Sequence, residues 1–166
     1  LTLLVAEPAV ASTPAKAWRE ARWGMTPEEV LRAFPGEVAP WTEVRTPGQD
    51  PDRKSPIGIE HYRLLDEDFK VTFIFTKNRL TRIQLAPVND SVASIGLARY
   101  IGEMLTEKYG NPREGPAVEA LPGGQVLKEM WRTKETVIAL QLLRVKDLQF
   151  LSINYSPPGG DAADRL

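Results

Sequence analysis

Cysteine is absent from this 166-residue chain and histidine occurs once, as His61. The first absence excludes disulfides, thiolate zinc sites, thiol nucleophiles and a lipid-bearing cysteine. The second excludes a histidine-rich metal site and any mechanism that needs two imidazoles. No apolar run approaches the ~20 residues that span a bilayer as a helix. No basic run of the kind used on nucleic acid occurs either, since 21 basic and 22 acidic residues are spread along the chain. Nucleic acid is therefore not expected as a partner, and no membrane span is expected.

The chemistry-bearing patterns are missing too. There is no G-x-S-x-G elbow. The glycine pair of "PGGQ", Pro122 to Gln125, has neither dinucleotide spacing nor a Walker lysine. Glu28-Glu29 and Asp66-Glu67-Asp68 are the densest acidic clusters, and a helix cap and a hairpin turn account for them better than a glycosidase pair does. Asp50 and Asp52 are split by a proline and lack the ligand count of a calcium loop. His61 stands between Glu60 and Tyr62 in a strand-like stretch, where alternation sends Glu60 and His61 to opposite faces. No catalytic residue, metal site or cofactor is assigned, and the chain is expected not to be an enzyme.

What is present begins with "LTLLVAEPAVAS". An apolar run, a helix-breaking Pro8 and the small-x-small triplet Ala9-Val10-Ala11 have the pattern of the back half of a secretory signal, with cleavage before Ser12. Residues 1–11 are thus expected to be a signal remnant, 12–156 a single domain and 157–166 a disordered tail. The expected location is the periplasm or the exterior. "RWGMTPEEVLRAF" follows. Thr26 is a capping hydroxyl, Pro27 suits the first helical position, and Glu29 can complete a capping box. Trp23 and Met25 are expected to anchor the chain where it enters this helix, with Gly24 allowing the turn between them.

The stretch from Gly36 to Pro56, with prolines at 40, 47, 51 and 56, is expected to be an irregular loop. Three strands should follow, from Ile57 to Val88. Phe69, Val71, Phe73 and Phe75 share one face by period two. A long helix, offered caps by Asn89, Asp90 and Ser91, carries Ile95, Ala98, Ile101, Leu105 and Tyr109 in one stripe and Leu97, Tyr100 and Met104 in the next. Gly110-Asn111-Pro112 ends it. A Pro/Gly-rich loop and three more strands complete the domain. The expected fold is α+β, two helices packed on one face of a largely antiparallel sheet in the order αβββαβββ, with pseudo-repeat halves at about 23–88 and 89–156.

The phrase "RWGMTPEEV" resembles uncharacterised bacterial exported proteins whose helix opens with W-G-M-[ST]-x-x-E-V. The helix-then-strands layout is similar to β-lactamase-inhibitor-like modules and to the small lipoprotein of the outer-membrane assembly machine. The lipidation cysteine of that lipoprotein has no counterpart here. The resemblance implies an adaptor or inhibitor-like module that binds another envelope or secreted protein through loops and an open sheet face. Trp41, Val44 and Arg45, in the proline-rich stretch, are the candidate partner-binding residues, because an exposed loop tryptophan is a typical anchor. The alternative is a carrier of a small apolar ligand, held between the long helix and the sheet by Leu97, Tyr100 and Met104.

Overall fold

A computed structural model describes residues 13–48 and 50–159. The chain opens with a small hairpin, β1 (Lys16–Trp18) and β2 (Ala21–Arg22), then a two-turn helix α1 (Pro27–Ala33). Four strands follow: β3 (Ala39–Arg45), β4 (Arg53–Leu64), β5 (Glu67–Thr76) and β6 (Arg79–Pro87). A short 3₁₀ turn, Asp90–Val92, leads to helix α2 (Ile95–Tyr109). Four more strands close the domain: β7 (Glu114–Leu121), β8 (Gly124–Arg132), β9 (Val137–Val145) and β10 (Leu148–Ser156).

The eight strands from β3 onward form one antiparallel sheet in the order β3-β4-β5-β6-β10-β9-β8-β7. Each half is a helix plus a four-stranded meander, and the last strands of the two meanders pair at the centre, Ile153 opposite Leu85 and Tyr155 opposite Ile83. The order αβββαβββ is thus corrected. The described residues are mostly sheet, 53% strand against 17% helix, with eight strands in the main sheet and a hairpin ahead of the first helix. Nor do two helices alone cover the sheet. Over the first half the work is shared with the hairpin: its Trp18 stacks on Phe34 at the end of α1, meets Tyr62 edge-on and leans on Phe73 of β5.

The two missed strands are the sheet edges. β3 lies in the stretch read as a loop, and β7 lies in the Pro/Gly-rich connection. All eight residues of β7 are exposed, so no period-two burial pattern existed to reveal it. Each edge carries a proline, Pro40 or Pro116, and each has a register shift against its neighbour. Proline and bulges are tolerated at edges, where one row of backbone groups has no ladder partner, and they discourage pairing with other chains.

Both helix starts are capped by side chains. Thr26 and Glu29 form the capping box, with the Thr26 N–H donating to Glu29 Oε2 at 2.8 Å and the Glu29 N–H to Thr26 Oγ1 at 3.3 Å. Helix α2 is capped by Ser94, while Asn89 caps the 3₁₀ turn before it, so the cap lies three to five residues later than expected. The Trp23-Gly24-Met25 phrase is a structural tie. The Trp23 indole donates to the Glu135 carbonyl at 2.9 Å and to Thr136 Oγ1 at 3.1 Å, and the Thr136 hydroxyl donates to the Lys16 carbonyl at 2.8 Å. Gly24, at φ +84°, and Met25 exchange backbone hydrogen bonds with Leu80. One short phrase thereby joins the N-terminal hairpin, the start of β6 and the β8–β9 turn.

The main core lies on the side of the sheet that faces the helices. It is built from Phe69, Val71, Phe73, Ile83, Leu85, Trp131, Ile138, Leu140, Leu151 and Ile153 of the strands, with Val30, Phe34, Ala98, Ile101 and Leu105 of the helices. Helix α2 sits close to the strands at Gly102, where a Cβ would stand 2.5 Å from Glu129 Oε2. Burial of these side chains at roughly 1.5–3 kcal/mol each supplies the main driving force for the fold.

Candidate functional site

The opposite face of the sheet has no helix over it among the described residues. Its side chains follow from the strand registers. One row across the second half comprises Ser156, Val137 and Arg132, with Arg82 in line one step beyond the Tyr155–Ile83 pair. The next row is Gln84, Asn154, Ala139, Met130 and Glu114. Then come Ser152, Gln141, Lys128 and Ala117, and beyond them Phe150, Leu143, Val126 and Glu119. Leu148 and Val145 end the face at the β9–β10 turn.

These rows produce a groove of about 620 Å³. Short side chains, Ala139, Ser152 and Ser156, form part of its floor, while Arg82, Arg113, Lys128, Arg132 and Phe150 contribute to its lining. Its centre is an amide ladder. Gln84 Nε2 donates to Asn154 Oδ1 at 3.1 Å, and Asn154 Nδ2 donates to Ser152 Oγ at 3.0 Å. The ladder fixes the floor and leaves amide groups available to a backbone laid across it. Lys128 pairs with Glu119 at 3.3 Å, whereas Arg113 and Arg132 have no side-chain partner among the described residues. Phe150 is 42% exposed and Leu148 76% exposed, an apolar end to an otherwise polar surface.

In the first half the same face is filled. Trp41 is only 9% exposed and sits on strand β3, not in a loop. Its ring lies over Gly58, where any Cβ would collide with it, and its indole N–H donates to Ser55 Oγ at 3.3 Å. The Arg45 guanidinium lies 5.1 Å and the Lys70 ammonium 5.6 Å from the ring centroid. Of the three candidate partner-binding residues, Val44 is 58% exposed, Arg45 is exposed and stacked on the tryptophan, and Trp41 itself is a plug rather than a free anchor.

The carrier residues stand apart from the groove. Tyr100 is 58% exposed, Leu97 and Met104 pack half-buried against the core, and none of the three lines the groove. The space between α2 and the sheet is closed by Ala98, Ile101, Gly102 and Leu105.

His61 is strongly exposed and its Nδ1 stands 3.6 Å from Asp68 Oδ2, while Glu60 Oε2 is 3.6 Å from Lys70 Nζ. The register shift between Ile59 and Tyr62 lets both side chains reach residues of the open face, so the expected alternation fails there. No hydroxyl or thiol nucleophile stands with them in a hydrogen bond, and no group of three or more metal-ligating side chains gathers among the described residues. The displaced titrations lie elsewhere. Burial pushes the Tyr155 hydroxyl well above the usual tyrosine range, helped by Tyr109 and Tyr62. Glu129, beside α2 and with no partner among the described residues, is raised by desolvation. The hydrogen bond from Arg19 holds Glu37 below the usual carboxylate range.

Compared with family models, curated proteins and solved structures, the chain matches none. Residues 1–11, read as a signal remnant, lie outside the described residues, as does the tail beyond Gly159.

Proposed function

We propose that this chain is a non-enzymatic module that binds another protein through the open face of its sheet, and that it does so in the periplasm or outside the cell. One observation carries the reading: an eight-stranded sheet with a face that no helix crosses among the described residues, grooved in its second half and lined by amides, arginines and one exposed aromatic ring. At ~4.8 Å between strands and ~3.3 Å per residue, eight strands of about eight residues offer roughly 1,000 Å² in projection, the Trp41-filled half included and the grooved half supplying about half of it. A standard interface takes about 800 Å² from each partner, so the face is large enough for one. Its arginines, Met130 and Phe150 are of the residue types enriched at protein interfaces. The extracytoplasmic location rests on the signal-like pattern up to Ala11 and on the resemblance of the W-G-M-T phrase to exported proteins.

The test is site-specific photo-crosslinking in the native host. A photoreactive residue at Gln141, in the groove, is expected to give a discrete adduct with one envelope or secreted protein. The same residue at Tyr100, on the outer side of α2, is expected to give none. Failure at Gln141, or equal labelling from both positions, would overturn the reading. The intact mass of the same protein by compartment tests the location: a chain beginning at Ser12 outside the cytoplasm is expected, and a cytoplasmic chain retaining Leu1 to Ala11 would refute export.

A further inference from the structure

Resting on that reading, we infer that the groove takes an extended segment of the partner that is acidic at one end and apolar at the other. The open face is graded along the strands. At one end Arg132 and Arg113 have no side-chain partner among the described residues; Arg82 also lines this end, and Glu114 is its one carboxylate. The Arg113 and Arg132 guanidinium groups are suited to carboxylates, which arginine binds in bidentate fashion. At the other end Phe150 and Leu148 present exposed apolar surface beside the half-buried Leu143, and the one carboxylate there, Glu119, is paired with Lys128.

The middle of the groove decides what kind of chain joins these ends. Gln84, Asn154 and Gln141 occupy it, and two of them are already held by the ladder at 3.1 Å. An alkyl chain with a carboxylate head would match both ends but would strip water from these amides without replacing its hydrogen bonds. A peptide backbone replaces them. Ser156 and Phe150 are six residues apart on β10, about 20 Å along the strand. That length corresponds to six or seven extended residues, the span over which the segment must change from acidic to apolar. The short floor residues Ala139 and Ser152 leave room for its backbone.

The experiment is an NMR titration of the isotope-labelled full chain with defined probes. These are a ten-residue peptide with Glu and Asp at one end, Ser and Asn in the middle and Leu and Phe at the other, the same peptide in reverse chain direction, a shuffled peptide of identical composition, and laurate. One graded peptide is expected to bind at least fivefold more tightly than the shuffled one, shifting amides near Val137 and near Leu143 together. Raising salt should weaken it. The exposed double substitution Arg113→Glu with Arg132→Glu should cost at least tenfold, and Phe150→Ser at least fivefold, with the unbound spectra otherwise preserved. Equal binding of graded and shuffled peptides, an unaffected double variant, or shifts confined to the helix side would overturn the inference. Laurate binding more tightly than either peptide would also overturn it, assigning the groove to an amphiphile. If the peptides fail while Gln141 still crosslinks a partner, the graded-segment inference falls and the protein-binding reading stands.

Discussion

In the first half of the molecule the edge strand lays Trp41 across the open face; in the second half the edge strand contributes Ala117 and Glu119 there, and a groove results. The two halves share a plan, helix then meander, yet one side chain decides whether the sheet presents a filled surface or a receptive one. The difference extends to the strand beneath. β4 has Gly58 under the indole, with no room for a Cβ, while β8 has Lys128 and Met130 on the corresponding side. The plugged half keeps two cations, Arg45 and Lys70, near the aromatic ring, whereas in the open half Arg113 and Arg132 have no side-chain partner among the described residues. Interaction surface is therefore placed by omission of a large residue as much as by placement of binding groups.

The largest test of the comparison is to uncouple the halves. Trp23 ties the first half to the β8–β9 turn through Glu135 and Thr136. Trp23→Ala should cost about 3–5 kcal/mol, the range for deleting a large buried aromatic side chain. Chemical denaturation would show a lowered midpoint, and a shallower slope would mean that the halves have begun to unfold separately. An unchanged curve would remove the tie from the account.

Next comes the plug itself. Trp41→Ala should cost about 2–3 kcal/mol, somewhat less than a core tryptophan because one side of its ring meets flexible cations. Gly58→Ala attacks the same contact from below and should cost about 1–3 kcal/mol by overpacking, since the new methyl meets both the indole and the Val71 carbonyl. Thermal melts of the two single variants and of the double variant settle whether they act through one contact. Losses that do not add show that they do, and full additivity would show that Gly58 matters for another reason.

The converse change fills the open half. Ala139→Leu puts a larger side chain on the groove floor, facing solvent. It should change stability by less than about 1 kcal/mol, as surface substitutions do, and yet remove binding at the open face. Retained crosslinking from Gln141 in that variant would show that the partner does not seat on the floor at Ala139.

How much of this could be read from the sequence depends on whether a residue's environment is local. The Thr26–Glu29 box and the Phe69, Val71, Phe73 alternation were legible because a few neighbouring residues fully specify them. The edge strands were not, because a strand exposed on both faces, such as β7, has no hydrophobic period, and the prolines that read as loop are compatible with an edge. The N-terminal hairpin escaped because it has only a few residues and pairs through a turn at Arg19 with φ +51°. Trp41 was singled out, but its partner Gly58 is seventeen residues away, and only the β3–β4 pairing brings them together. The groove was beyond reach for the same reason: Gln84 and Asn154 become neighbours through the β6–β10 pairing, seventy residues apart in sequence. The bulge that brings Glu60 and His61 toward one face likewise left no mark in the residue types.

The smallest expected effect sharpens the contrast between the two faces rather than the two halves. Glu129 lies on the helix side of β8, against Gly102, with no partner among the described residues, and desolvation raises its pKa. A carboxylate raised in the folded state binds its proton more tightly there than in the unfolded chain. It costs no stability below the unfolded value, and stability falls as pH rises from that value through the folded one. Glu129→Gln removes the charge while keeping the shape, so it should raise the melting temperature slightly at pH 7 and leave it unchanged near pH 3. The change should be smaller than that of either tryptophan substitution, because the carboxyl is partly solvated. A variant no more stable than the parent at pH 7, or equally stabilised at both pH values, would show that the charge finds enough water beside α2. In that case the helix side of β8 tolerates a free charge much as the open side does with Arg132.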